Sequence, residues 1–241
     1  MDFTLIGLPY DETQTFRKGA SKAPDMIRSI FPKLETFVNG VDLTEHFIED
    51  LGNLTKEQLS TANITKFPIF IGGEHTVTEW AVDKLKPKNV VIFDAHPDCE
   101  DSGKHDGVTK RLAGKGYNTY IIAYGLRTIS KKEQEYLNSG KVKVIDASEL
   151  ATLKGDTFVS FDLDILDPAV LPAVGNPEPS GLSFGELIAI FNMLENANIV
   201  GVDFVEYTPT EKDNDIYLSI AGKLIYSIMS EIIRKKENKI A

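Results

Sequence analysis

"VVIFDAHPDCED", Val90–Asp101, sets four apolar residues in a row and then delivers Asp94, His96 and Asp98 at alternate positions. A short, nearly continuous apolar run is how a strand covered on both faces reads. Charged groups at the edge of a core are costly unless opposite charge meets them. The stretch therefore implies a buried parallel strand whose carboxyl end serves a ligand.

Working outward, similar apolar runs recur at 3–8, 47–52, 67–73, 119–125, 141–146, 157–164 and 198–206. Helical patterns lie between them, among them 22–31, 55–63, 76–86, 131–139 and 183–196, with a long last one at about 215–236 that ends in basic "RKKENKIA". Ser183 with Glu186 three residues on forms a capping box at the start of 183–196. Strands alternating with helices predict an α/β fold: three layers, a mainly parallel sheet of about eight strands, and helices on both faces. The Pro- and Gly-rich stretch 166–182 reads as a structured loop, so residues 1–241 are expected to form one domain.

Composition narrows the function classes. The chain has 241 residues, 42% hydrophobic and 26% charged, which is ordinary for a globular protein. Its net charge of −10 argues against nucleic acid as a partner and suits a cationic small molecule. No apolar run approaches the roughly 20 residues of a membrane span, and "MDFTLIGLPYDE" carries no secretory pattern. The single cysteine, Cys99, excludes an internal disulfide and fits a reducing cytoplasm; its phase makes it buried filler.

The unusual polar residues sit at strand ends, where open parallel sheets bind ligands. Gly72, Gly73, Glu74 and His75 follow one strand; Asp94, His96 and Asp98 follow another; Asp162 and Asp164 end a third; Asp203 and Glu206 end a fourth. The i, i+2 spacing is expected to send alternate side chains to one side of an extended backbone, with Phe161 and Leu163 facing the other way. Glu74 is read as a helix cap and Asp167, before Pro168, as a turn residue. Four converging carboxylates, Asp94, Asp98, Asp162 and Asp164, need compensation, and no set of Lys or Arg lies beside them. Two divalent cations would neutralise them, with His75 and His96 completing the shells. Oxygen-rich donors with some imidazole favour Mn²⁺ over Zn²⁺.

The motifs "GGEHTVT" (72–78), "FDAHPD" (93–98), "SFDLDILDP" (160–168) and "DFVEYTP" (203–209) resemble those of the ureohydrolase family of arginases and agmatinases. "GLPYDE" (7–12) and "RKGASKAPDMIR" (17–28) resemble its opening, so the likeness spans nearly the whole chain. It implies a binuclear manganese centre, two Mn²⁺ per chain, and hydrolysis of a guanidino group to urea and an amine. By position, His75, Asp94, Asp98 and Asp162 would hold one ion. Asp94, His96, Asp162 and Asp164 would hold the other, with Asp94 and Asp162 bridging. His105 matches a proton-shuttling histidine working with Asp98, and Glu206 matches the carboxylate that receives the guanidinium. A homo-oligomer, trimer or hexamer, is also implied.

The chain departs from the family pattern at Asp106, which intervenes before Gly107, at Asn176 in the Pro-rich loop, and at Ser180. Asn176 and Asp101 are expected to touch substrate. In "CEDSGKH" (99–105), Lys104 stands where an arginase has Asn, while Glu100 and Asp101 are placed to attract an ammonium. That favours agmatine, cleaved to putrescine and urea. Arginine, guanidinobutyrate and a formimino substrate remain alternatives that keep every metal ligand; a single-zinc deacetylase of similar architecture and a catalytically silent binding subunit are the readings from other classes.

Overall fold

The computed structural model describes residues 1–210 and 214–238. The first half runs β1 (Phe3–Leu8), α1 (Ala23–Ile30), β2 (Phe37–Val38), β3 (Val41–Asp42), β4 (Ile48–Asn53), α2 (Lys56–Thr61), β5 (Phe67–Gly72), α3 (Val77–Leu85) and β6 (Asn89–Phe93). It continues with α4 (Val108–Gly114), β7 (Asn118–Ile122), α5 (Lys131–Leu137), β8 (Val142–Ile145), α6 (Ala147–Thr152), β9 (Gly155–Asp162), α7 (Phe184–Asn192), β10 (Ala197–Val205) and α8 (Asn214–Asn238). All eight strands expected from the sequence join one sheet, in the order β4-β1-β5-β10-β9-β6-β7-β8. Every pairing in it is parallel. Strands β2 and β3 form a separate antiparallel ribbon. Helices α4 and α6 have no counterpart among the helical patterns named above.

The strand order fixes the layers. Connections β4-α2-β5, β5-α3-β6 and β6-α4-β7 step one way across the sheet; β1-α1-β4, β8-α6-β9 and β9-α7-β10 step the other way. Right-handed crossovers must then place the two groups of helices on opposite faces. They do: Leu59, Val77, Val82, Val108 and Leu112 pack with Ile6, Phe70, Val90 and Ile92. Ile27, Leu150, Leu187, Phe191 and Leu224 pack with Leu5, Ile69, Val91 and Phe93. Central strands are buried throughout, whereas the edge strands β4 and β8 both carry exposed residues.

Helix α8 is long and apolar enough to cross a membrane by length and composition, contrary to the expectation from apolar run length. In the fold 72% of its most apolar window is buried, with Leu224, Ile228 and Ile232 in the core. The capping box at α7 is present, with Glu186 N donating to Ser183 Oγ and Ser183 N to the Glu186 carboxylate. The sequence beyond residue 238, including the end of the basic tail, lies outside the described residues.

Candidate metal centre

Strands β5, β10, β9 and β6 are neighbours at the middle of the sheet, and the candidate residues all leave their carboxyl ends. Phe161 forms an apolar floor beneath them, its ring 4.8 Å from Phe93 and 5.1 Å from Phe204. Gly73 lets the backbone at Tyr10 approach the end of β5, because a Cβ there would lie 2.0 Å from the Tyr10 carbonyl oxygen.

The convergence of "DAHPD" and "DLD" has a different origin from the extended alternation expected. Strand β6 ends at Phe93 and β9 at Asp162, and both motifs turn at once. His96 N donates to Asp94 Oδ1 (2.6 Å) and Asp164 N to Asp162 Oδ1 (2.9 Å). These side-chain-to-backbone bonds two residues on are Asx turns, which curl the second polar group back beside the first. Asp98 (φ +48°) and Glu206 (φ +67°) occupy the left-handed region, a strained choice for residues with a Cβ and one that clusters at functional sites.

Two triads that could hold a metal ion result, His75–Asp94–Asp98 and Asp94–His96–Asp164, each with its donor atoms within 4.8 Å of one another. Asp94 belongs to both. His75 Nδ1 lies 2.9 Å from Asp98 Oδ2, 3.1 Å from Asp94 Oδ2 and 3.4 Å from Asp162 Oδ2. His96 Nδ1 lies 2.9 Å from Asp164 Oδ2. Adjacent ligands of an octahedral ion with bonds of about 2.1 Å are separated by about 3 Å. Asp94 Oδ2 is buried and accepts no hydrogen bond, an acceptor-only atom that suits a cation. The donor set thus fits metal, with His75, Asp94, Asp98 and Asp162 around one position and Asp94, His96 and Asp164 around the other.

The electrostatics agree. Burial opposes a charged imidazole at His96, yet Asp164 and Asp94 push it up to about 12. Burial together with the Asp94 charge raises Asp98 to about 7. Asp162 is raised strongly by burial, Asp164 and Asp94. Among the described residues the ion-pair partners of these carboxylates are histidines, and the summed field calls for added positive charge.

The surrounding bonds orient the imidazoles. His75 Nε2 lies 3.2 Å from Ser160 Oγ, which donates to Asp203 Oδ1 (2.6 Å). With Ser160 accepting from Nε2–H, Nδ1 of His75 faces the carboxylates, where it carries a proton in the metal-free site and would offer its lone pair to a metal ion in place of that proton. On the other side His96 Nε2 is 3.6 Å from Glu178 Oε1.

Glu206 is buried, with Oε1 accepting from His75 N (2.8 Å) and 3.6 Å from His105 Nδ1. Burial raises its carboxyl to about 7 against the pull of His105 and the His75 N–H. His105 is buried beside it.

Other expected positions fall elsewhere. Glu74 does not cap α3, whose N-cap is Thr76; its buried carboxylate accepts from Thr13 N (2.7 Å) and Thr13 Oγ1. Asp101 does not face the cluster: its side chain is 96% exposed and lies 3.5 Å from Lys110 Nζ. Glu100 accepts from Ser130 Oγ. The reason is Asp106, which closes the loop by accepting from Ser102 Oγ through its carboxylate and from Glu100 N (2.9 Å) through its carbonyl. Arg111 then ties down the Ser102 and Lys104 carbonyls. Asn176 is half-buried beside Gly175 in the Pro-rich loop. Asp167 is the turn residue expected, accepting from Ala169 N and Gly181 N. Cys99 is buried, with Sγ donating to the Pro97 carbonyl. Sequence reasoning missed Glu178 and Gln14, which carry no motif signal of their own.

Residues 1–230 match the family model of the Arginase family. The chain is 30% identical over 259 aligned positions to the N(1)-aminopropylagmatine ureohydrolase of Thermococcus kodakarensis, covering 94% of this chain and 89% of that protein. It is 29% identical to the agmatinase of Pyrococcus horikoshii, covering 94% and 91%. The crystal structure of the agmatine ureohydrolase of Thermoplasma volcanium superposes with a TM-score of 0.81 at 31% identity, covering 98% of this chain and 91% of that one.

Proposed function

The chain belongs to the arginase family, metal-dependent hydrolases of guanidino C–N bonds, and we propose that it cleaves agmatine to urea and putrescine with two Mn²⁺ per chain. The observation that carries the two-ion reading is Asp94, common to a triad with His75 and Asp98 and to another with His96 and Asp164. When bound, such a pair of ions lowers the pKa of the water it holds and so supplies a nucleophile near neutral pH.

The chain's own groups supply the rest. Glu206, fixed by the His75 N–H, takes the guanidinium through charge-assisted hydrogen bonds. Water adds to the guanidino carbon and the bond to the alkyl nitrogen breaks. The departing amine leaves as an ammonium once it has gained a proton, directly or by way of Asp98 and His105. One water is consumed; urea and one amine are formed.

Support for an amine tail no longer comes from Glu100 or Asp101, which turn away. It comes from the two relatives above, an N(1)-aminopropylagmatine ureohydrolase and an agmatinase. The test is urea release after chelation and reloading with Mn²⁺, comparing kcat/KM for agmatine, arginine and guanidinobutyrate. Agmatine is expected to lead, with about two Mn²⁺ per chain. A higher kcat/KM for either competitor would overturn the substrate, and one ion per active chain would overturn the pair.

A further inference from the structure

Thr13, Gln14 and Thr15 fall between the two family-like stretches at the start of the sequence; Thr13 and Thr15 touch His105, and Gln14 touches Glu206. We propose that Gln14 and Thr15 are positioning residues, Gln14 for the carboxylate of Glu206 and Thr15 for the imidazole of His105. The proposal rests on the roles given to Glu206 and His105 above.

The segment is anchored on both sides. Thr13 donates to the buried Glu74 through N and Oγ1, and Thr13 Oγ1 also accepts from His105 N (3.0 Å). Asp11 Oδ2 accepts from Gly19 N, Ser21 N and Ser21 Oγ, closing the loop behind it. Gln14 is 5% exposed. Its Nε2 donates to Glu206 Oε2 (2.9 Å) and Thr208 Oγ1 (3.3 Å), while its Oε1 accepts from Ala20 N (3.4 Å). Thr208 Oγ1 itself donates to the Glu206 carbonyl, so it is free to accept from Gln14, and a flipped amide would set oxygen against carboxylate.

Both oxygens of Glu206 are therefore held, Oε1 by His75 N and Oε2 by Gln14. A carboxylate has about four acceptor sites, which leaves two for a guanidinium. Gly175 keeps the crevice open, since a Cβ there would lie 2.7 Å from Glu206 Oε2 and 3.0 Å from Gln14 Nε2. Thr15 Oγ1 lies 3.2 Å from His105 Nε2. A hydroxyl can donate to a ring nitrogen or accept from one, so Thr15 fixes the orientation of the His105 ring.

The two roles separate in kinetics. Gln14→Leu should raise KM about ten- to hundredfold with little change in kcat, the loss expected for one hydrogen bond to a charged group. Thr15→Val should lower kcat about tenfold at unchanged KM, and Thr15→Ser should restore it. All three should keep the Mn²⁺ content of the parent. A parental KM in Gln14→Leu, or failure of Thr15→Ser to rescue, would overturn the proposal. Crystal structures of the Mn²⁺-loaded parent and Gln14→Leu decide independently of turnover: Glu206 should leave its position in the variant, and an unmoved carboxylate would refute the role of Gln14. If the parent releases no urea from any guanidino compound, the functional reading fails while that comparison still stands.

Discussion

Asp94 and His75 show how unequal two ligands of one cluster can be. Asp94 offers one oxygen beside His75 and the other beside His96, so both candidate metal positions would draw on it, whereas His75 would serve one. Asp94→Asn should accordingly reduce bound Mn²⁺ to near zero after gel filtration. His75→Ala should retain about one ion per chain, measured by elemental analysis. Equal losses in the two variants would contradict a shared Asp94. At this scale the acidic cluster was legible in the sequence, because carboxylates at neighbouring strand ends with no cationic residues beside them call for compensation from elsewhere. Gln14, Ser160 and Glu178 were not, since one polar residue in a loop or strand looks the same whether it faces water or a buried carboxylate.

Among the elements, the loop from Leu163 to Leu182 depends on a cation far away in sequence. Arg127 donates to the carbonyls of Gly125, Asp164, Glu178 and Pro179 and so holds the loop against the sheet edge of the site. Removing it leaves several carbonyls without their donor. Arg127→Met should cost ~2 kcal/mol or more. For a chain of this size that is a fall of roughly 4–8 °C in Tm by calorimetry. A shift below one degree would show that water replaces the guanidinium at no cost. The strands of the main sheet and helices α1, α2, α3, α5, α7 and α8 were legible from apolar runs and caps, whereas α4, α6 and the β2–β3 ribbon were not. The inward or outward turn of the 99–106 loop was not, because Asp106, Ser102 and Arg111 decide it by contacts across the turn.

For the whole molecule, the site couples folding to pH. Asp98 and Glu206 are raised to about 7 and Asp203 to about 6, all chiefly by burial, above unfolded values near 4. His75 and His96 are raised too, burial being outweighed by their carboxylate neighbours. The folded, metal-stripped chain thus binds more protons than the unfolded chain. The stability these groups contribute is present at low pH and is lost as pH rises through about 6 to 7, continuing toward 12 for His96. Metal competes with those same protons, so its binding strengthens as they leave. The Tm gap between Mn²⁺-loaded and metal-stripped protein should widen from pH 6 to pH 8. A constant or narrowing gap in differential scanning calorimetry would contradict this linkage.

What the sequence by itself determined was the alternation of strands and helices and the acidic and histidine side chains at four strand ends, both properties of local pattern and charge. Apolar runs record burial on two faces, and uncompensated carboxylates record a missing cation. The tertiary structure alone decided which ends are neighbours: β5, β10, β9 and β6 stand side by side although far apart in the chain. It also decided that Asx turns, rather than strand alternation, aim the ligands, and that Asp101 faces solvent while Gln14 faces Glu206. The physical reason is that a side chain's partners are set by contacts over long sequence separations, and a single residue's identity carries no record of them.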